Sequence, residues 1–116
     1  ILCSAKQFSD NQTSQCKFIA VEEKDNMLSP KDILKKLANH GVTSVLVEGG
    51  PCILQSFFNE GLIDELYEYT APGILDGNDM KNPIILDNTW NSINQEMLGD
   101  DKLVIYQKKE IECLVE

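Results

Sequence analysis

The residues best suited to chemistry lie at a turn that follows an apolar run. Val45, Leu46 and Val47 are consecutive apolar residues, and the segment EGGP at 48–51, which we call the glycine turn, follows them directly. The apolar run is typical of a strand buried on both faces, and Pro51 suits the first position of a helix. A helix N-terminus offers N–H groups and partial positive charge to a phosphate, and glycines let the phosphate approach. The glycine turn therefore predicts a phosphate site.

Two simpler interpretations of the glycine turn stay open at this stage. Tight packing between a strand and a helix explains a Gly-Gly pair without any ligand. Glu48 stands at the end of the apolar run, where its carboxylate is placed to accept hydrogen bonds from a polyol or an amine. The same carboxylate is equally suited to capping nearby backbone N–H groups. Spacing alone does not choose between these roles.

One helix is predicted before the apolar run and a second helix after it. Ser29 suits the N-cap position and Gly41 the position just past a helix, which predicts a helix over residues 30–39. A second helix is expected to begin at Pro51, because apolar residues recur after it at helical spacing and Gly61 provides a stop. The glycine turn is therefore expected to connect a buried strand to the second helix.

The rest of the chain is predicted to form strands and loops. Strands are expected over residues 1–5, 17–22, 42–47 and 66–71, and a final pair over 92–108 with a turn at 99–101. Loops are expected over residues 7–15, 23–26 and 73–88. The order predicts an α/β fold with a mixed sheet and antiparallel strands at one edge.

Composition narrows the possible partners. The 116 residues carry a net charge of −9, with 10 Lys and Arg against 19 Asp and Glu. This balance argues against nucleic acid and anionic membranes as partners, although backbone N–H groups still suit a small anionic cofactor. No apolar run approaches the roughly 18 residues that a membrane span needs, and no signal peptide is visible.

The cysteines and the single histidine favour structural roles. Cys3, Cys16, Cys52 and Cys113 include no C-x-x-C pair and no metal-binding spacing, which predicts free thiols in a reducing cytoplasm and no metal site. His40 lies beside the stop at Gly41, where a helix C-terminus favours it.

Other single residues are also interpreted structurally. Asp64 and Glu65 are adjacent, and adjacent strand residues point to opposite faces, so a turn role is favoured over an acid pair. Phe57 and Phe58 are expected in the core. A packed, unreactive thiol is expected at Cys52. Trp90, in a polar stretch, is expected to anchor a loop or an oligomer contact.

A family resemblance is carried by residues 41–72, GVTSVLVEGGPCILQSFFNEGLIDELYEYTAP. Their pattern resembles the reductase domain of the bifunctional riboflavin-biosynthesis deaminase/reductase: a strand ending in Val-Glu-Gly-Gly-Pro, a helix, Gly-Leu-hydrophobic-Asp-Glu-Leu, and a strand ending in Ala-Pro. The resemblance extends over about residues 30–107, including the turn at 99–101. It implies a dihydrofolate reductase-like fold, in which a mixed sheet lies between helices in three α/β/α layers, with this chain as the C-terminal portion.

The resemblance also implies an activity. Members of the family use NADPH to reduce the ribose of 5-amino-6-(5-phosphoribosylamino)uracil to an open ribityl chain by hydride transfer to C1′. It implies that Glu48 contacts the substrate, and that the reaction needs no catalytic side chain beyond those that align the two ligands. A homodimer is also implied. The implied NADP site comprises Gly49, Gly50, Pro51, Cys52, Ile53, Leu54, Gln55 and Ser56.

The chain also departs from the family pattern. Gly73 replaces a basic residue that usually follows Ala-Pro, and Asp76-Gly77 replaces a glycine pair. The family's reductase domain is about twice as long, and the H-x-E and P-C-x-x-C motifs of a zinc deaminase do not occur in this sequence. The length of 116 residues is typical of one domain, and the resemblance implies that residues 1–116 are the C-terminal part of a longer protein. The alternative is a non-catalytic fragment that serves only in packing or dimerisation.

Overall fold

The computed structural model describes residues 2–4 by their backbone and residues 17–74, 77 and 82–109 in full. The loop predicted at 7–15 and the residues Cys16, Asp76 and Cys113 lie outside this part of the chain. Contacts within the chain define two units, Ile1–Leu62 and Ile63–Glu116. The single domain expected over residues 1–116 stays a prediction.

The first unit begins with a short parallel pair of strands. Strand β1 (Leu2–Ser4) pairs with β2 (Phe18–Ala20), which confirms the two strands predicted near the N-terminus. The side chains of Ile19 and Val21 are buried and form the apolar core of this unit together with Phe57. A charged turn expected at 23–26 belongs to a small antiparallel hairpin, since β3 (Glu23–Lys24) pairs with β4 (Met27–Leu28).

Helix α1 (Pro30–Asn39) has the predicted bounds because both of its ends are specified locally. The backbone N–H of Asp32 donates to the Ser29 hydroxyl at 3.3 Å, so Ser29 is the N-cap. At the other end His40 is the C-cap, and Gly41 adopts the left-handed conformation with φ +81°, which a side chain would disfavour. His40 as the C-cap confirms its predicted role at the helix end, and Lys17 Nζ lies 3.1 Å from His40 Nδ1.

A clamp of polar contacts joins α1 to the end of β2. The Asp32 carboxylate accepts a hydrogen bond from the backbone N–H of Glu22 at 2.9 Å and pairs with Lys36 Nζ at 3.4 Å. Lys36 also donates to the backbone carbonyl of Ala20, and the Ser29 N–H donates to the Glu22 carbonyl at 2.7 Å. We call these contacts the Asp32 clamp. The clamp fixes the first turn of α1 against the chain that leaves the buried strand.

The strand predicted over residues 42–47 is not formed, and this prediction was wrong. Residues 42–50 have no regular structure, and the side chains of Val45 and Leu46 are 43% and 78% exposed. A strand buried on both faces needs a ladder partner and packing on each side, and none of the described strands pairs with this segment. Apolar sequence alone does not supply either requirement.

Helix α2 (Pro51–Asn59) follows the glycine turn as predicted. Phe57 is buried, which confirms its assignment to the core, whereas Phe58 is only half-buried. Gly61 terminates the helix in the left-handed conformation with φ +69°, and the N–H of Leu62 returns to the carbonyl of Phe57 at 3.0 Å. Both described helices of the first unit are therefore followed by a glycine in the left-handed conformation.

The described part of the second unit forms a three-stranded antiparallel sheet. Strand β7 (Asp101–Lys108) lies in the centre, with β5 (Glu65–Thr70) on one side and β6 (Trp90–Leu98) on the other. The predicted strand near 66–71 and the predicted final hairpin are confirmed, with Gly99 at φ +65° in the turn. Trp90 was expected in a loop, but it begins β6 opposite Lys108.

The acidic pair in the second unit also has structural roles. Asp64 accepts a backbone hydrogen bond from the N–H of Lys108 at 3.4 Å, and the Glu65 carboxylate accepts one from the Tyr67 hydroxyl at 3.0 Å. The hydrogen bond from Tyr67 to Glu65 raises the pKa of the Tyr67 hydroxyl. Asp64 lies at a bend and Glu65 begins β5, so the predicted turn role is confirmed for Asp64 and was wrong for Glu65.

The Glu68 carboxylate connects the loop at Asn82 to the three-stranded sheet by hydrogen bonds. It accepts hydrogen bonds from the Tyr106 hydroxyl at 3.1 Å and from the Asn82 amide at 3.4 Å. The Asn82 side chain in turn accepts the N–H of Ile84 at 3.0 Å, and Ile84 is buried. Burial and the hydrogen bond to Glu68 raise the pKa of Tyr106. The described part of the long loop predicted over 73–88 has no regular structure, as expected.

The Asp32 clamp gives a pH-dependent prediction. The pKa of Asp32 lies below its ordinary value of 3.8, chiefly because its carboxylate accepts the Glu22 N–H, with Lys36 adding to the effect. A carboxyl whose pKa is lowered by folding stabilises the fold above its unfolded pKa, and this contribution is lost as the pH falls through the folded pKa. We therefore expect Asp32→Asn to lower the urea midpoint near pH 7, and the deficit to shrink below about pH 4.

Urea titrations of the wild type and of Asp32→Asn between about pH 7 and about pH 3 measure this difference in urea midpoint. Asp25→Asn is the matched control, because Asp25 lies in the left-handed region with φ +54°, a conformation that Asn also tolerates. The control should leave the midpoint within error of the wild type. A deficit for Asp32→Asn that does not change with pH would contradict the assigned role of the carboxylate.

Candidate functional site

The glycine turn leads directly into the first turn of α2. Gly50 is the N-cap, in an extended conformation with φ −67° and ψ 168°, and Pro51 is the first helical residue. The Gly50 carbonyl accepts hydrogen bonds from the N–H groups of Ile53 at 3.1 Å and Leu54 at 3.2 Å. Within the described ranges, no backbone carbonyl accepts a hydrogen bond from the N–H of Cys52. The helix end therefore presents at least one donor that the backbone itself does not use.

The N-termini of the two helices differ in their capping. Both helices have a proline in the first turn, but Ser29 caps α1 with its hydroxyl, whereas no side chain of the described residues caps α2 with a hydrogen bond. Glu48 was a candidate for this cap, but its exposed carboxylate does not fill that role. The partial positive charge at the start of α2 is therefore not compensated by a capping side chain.

The two glycines of the turn have different surroundings. Neither adopts the left-handed conformation, so backbone geometry explains neither of them. A Cβ atom on Gly49 would lie 3.3 Å from both Cβ and Cδ1 of Ile53, closer than side chains normally pack. A Cβ atom on Gly50 would meet nothing within 4 Å. Packing among the described residues therefore accounts for Gly49 but not for Gly50.

The other predicted site residues lie along the first turns of α2. Leu54 and Ser56 are half-buried, and Ser56 Oγ donates to the Ile53 carbonyl at 2.7 Å. Cys52 is a free thiol with an exposed side chain, so the expectation that it is packed was wrong. The structure thus keeps the predicted residues on one continuous segment, with Glu48, Gly50, Pro51, Cys52 and Gln55 all exposed.

A pocket of about 260 Å³ lies elsewhere in the first unit, between the β3–β4 hairpin and the end of α2. Ser56, Asn59 and Glu60 line it from the helix, and Lys24 reaches across to Glu60 at 3.6 Å. The pocket shares Ser56 with the predicted cofactor residues, but it does not include the glycine turn. Sequence reasoning did not anticipate this pocket, because its walls come from segments far apart in the chain.

Metal-binding and membrane-spanning features are both absent from the described residues. No group of three or more His, Cys, Asp or Glu side chains among them is placed to hold a metal ion. No helix in this part of the chain combines the length and apolar character that crossing a membrane requires.

Comparison with known proteins gives two kinds of match. Residues 1–95 match the family described as the RibD C-terminal domain. The chain is 36% identical over 85 residues to the riboflavin biosynthesis protein RibD of Buchnera aphidicola subsp. Baizongia pistaciae, a match that covers 72% of this chain and 23% of that protein. It is 44% identical over 45 residues to RibD of Aquifex aeolicus, covering 39% of this chain and 13% of that protein.

A similar match links the chain to RibD of Bacillus amyloliquefaciens, at 44% identity over 46 residues, 40% of this chain and 12% of that protein. The matches thus span less than a quarter of each of these relatives. The family match begins at residue 1, whereas the resemblance in the sequence was placed at about residues 30–107, so the N-terminal strands also belong to the shared region. The family match also confirms the predicted dihydrofolate reductase-like α/β fold class. Because the family match covers most of the 116 residues, the chain belongs to the RibD C-terminal domain family.

Proposed function

We propose that this chain is part of an NADPH-dependent reductase of riboflavin biosynthesis and that the glycine turn binds the pyrophosphate of the cofactor. The names of the relatives support the pathway, since each is a riboflavin biosynthesis protein. The observation that carries the proposal is the start of α2, where no side chain caps the helix and the Cβ position of Gly50 is open. An anion held there replaces the missing cap and meets the positive end of the helix.

The proposed roles follow from the position of each residue. Gly50 lets a phosphate oxygen approach the backbone, and the Cys52 N–H donates to it. Gly49, Pro51, Ile53, Leu54, Gln55 and Ser56 complete the cofactor-binding segment. When bound, NADPH supplies the hydride, so the protein needs to align the two ligands and exclude water from them.

The substrate is proposed to be 5-amino-6-(5-phosphoribosylamino)uracil, reduced at the ribose C1′ to the ribitylamino product. Glu48 lies immediately before the phosphate-binding residues, and its carboxylate is exposed. An ionised carboxylate is an acceptor for sugar hydroxyl groups, and such charge-assisted bonds are stronger than neutral ones. We therefore propose that Glu48 orients the ribose next to the cofactor.

The first test is Gly50→Val in the full-length protein that contains this chain. The extended conformation of Gly50 is open to any residue, so valine should fold normally, but its side chain would occupy the space proposed for the pyrophosphate. We expect NADPH affinity, measured by fluorescence titration, to fall by at least about tenfold. Gly77→Val is the matched control, because a side chain there also meets nothing within 4 Å. Unchanged NADPH affinity in Gly50→Val would exclude the glycine turn as the pyrophosphate site.

The second test is Glu48→Gln, measured by steady-state kinetics with the sugar substrate and NADPH. Loss of the charged acceptor should lower kcat/KM for the sugar by about tenfold to a hundredfold, the equivalent of one charge-assisted hydrogen bond. NADPH affinity should change little, because the carboxylate is assigned to the sugar. Glu96→Gln, at an exposed position on β6, is the control. Wild-type kinetics in Glu48→Gln would remove Glu48 from the proposed site.

A second candidate role is packing or dimerisation without catalysis. It is favoured by large apolar side chains on the surface: Leu46, Ile74 and Ile85 are 78%, 95% and 84% exposed. We expect the isolated 116-residue chain to elute as a dimer or larger species in size-exclusion chromatography and to oxidise no NADPH. Leu46→Gln with Ile85→Gln should shift elution toward the monomer. An isolated chain that is monomeric and active would contradict this role.

A further inference from the structure

Ile53 contacts the glycine turn with both its backbone and its side chain. Its N–H donates to the Gly50 carbonyl at 3.1 Å. Its Cβ and Cδ1 atoms both lie 3.3 Å from the position that a Cβ atom on Gly49 would occupy. Its own carbonyl accepts the Ser56 hydroxyl at 2.7 Å. We propose that Ile53 is the positioning residue of the glycine turn, and that Gly49 is glycine to accommodate Ile53 whereas Gly50 is glycine to accommodate the cofactor. This inference rests on the proposed function.

The contact between Gly49 and Ile53 is restrictive because the nearest atoms of Ile53 do not yield easily. The nearest atoms of Ile53 include its Cβ, which is fixed to the helix backbone and does not move when the side chain rotates. A β-branched side chain in a helix is also held in one preferred χ1 rotamer, so its Cγ2, 3.4 Å from where a Cβ on Gly49 would lie, has little freedom. A methyl group on Gly49 is therefore accommodated by movement of the turn.

Movement of the turn has a consequence for the proposed ligand. Gly50 and the N–H of Cys52 follow Gly49 closely in the chain, so a displacement of a few tenths of an ångström at Gly49 carries into the groups that face the phosphate. Hydrogen bonds weaken as donor and acceptor move out of their preferred range. A substitution at Gly49 thus weakens cofactor binding through Ile53, whereas a substitution at Gly50 acts on the cofactor directly.

This difference is measurable as coupling between positions. In the full-length protein, we expect Gly49→Ala to weaken NADPH binding by about threefold to tenfold. Ile53→Ala removes Cγ2 and Cδ1, two of the three atoms nearest to the added methyl. In the Ile53→Ala background, where only the contact with Cβ at 3.3 Å remains, Gly49→Ala should therefore cost less affinity than in the wild type. Gly50→Ala should cost the same affinity in both backgrounds, because no Ile53 atom lies within 4 Å of its Cβ position.

The readout is the NADPH dissociation constant of each single and double variant, with thermal unfolding measured in parallel. A purely structural role for Ile53 would lower unfolding temperatures without coupling Gly49 to the NADPH dissociation constant. If Ile53→Ala fails to fold, Ile53→Val serves instead, since it removes only Cδ1 and should give a partial rescue. Losses at Gly49 that are identical in the two backgrounds would overturn the inference while leaving the proposed function intact. A wild-type protein that binds no NADPH would overturn the proposed function and this inference together.

Discussion

A helix end without a side-chain cap is the constraint on which the proposed site depends. Ser29 shows how this chain satisfies a helix N-terminus when a side chain is available, because its hydroxyl accepts the Asp32 N–H. At α2 the equivalent position is Gly50, which has no side chain, and the following proline has no N–H to donate. The positive end of α2 is thus left for water or a ligand to satisfy. Glu48 is exposed just before this end of the helix, and Ile53 crowds the Cβ position of Gly49 beside it.

The parts of the fold that sequence predicted well are those determined locally. Ser29 and Gly41 each specify one end of α1 through residues close to them in the chain, and the predicted bounds match. Gly99 similarly specifies the turn between β6 and β7. The apolar run at 42–47 was mispredicted because a buried strand depends on partners distant in sequence, and the described strands offer it none. Trp90 was misplaced because its polar neighbours resemble a loop, although they form one strand of an exposed antiparallel ladder.

The site shows the same division between local and distant information. Sequence alone located the glycine turn, because strand-like, glycine and proline signals are adjacent in the chain. It did not separate the roles of Gly49 and Gly50, since that separation depends on where the Ile53 side chain lies one helical turn later. It also predicted a packed thiol at Cys52, whereas the thiol is exposed, because the burial of a helix face depends on what packs against it. The spacing of four residues between Gly49 and Ile53 was the available signal for their contact.

The irregularity in β6 has a consequence for the behaviour of the second unit. The register between β6 and β7 shifts between Ser92 and Asn94, so Ile93 is an extra residue and the strand is bulged. Strand β6 lies at the edge of the three-stranded sheet, where a straight strand would offer a continuous row of backbone groups to a strand of another molecule. A bulge bends and twists the edge and leaves one residue unpaired, which interrupts that row. The bulge at Ile93 thus makes the β6 edge a poorer template for pairing with a strand of another molecule.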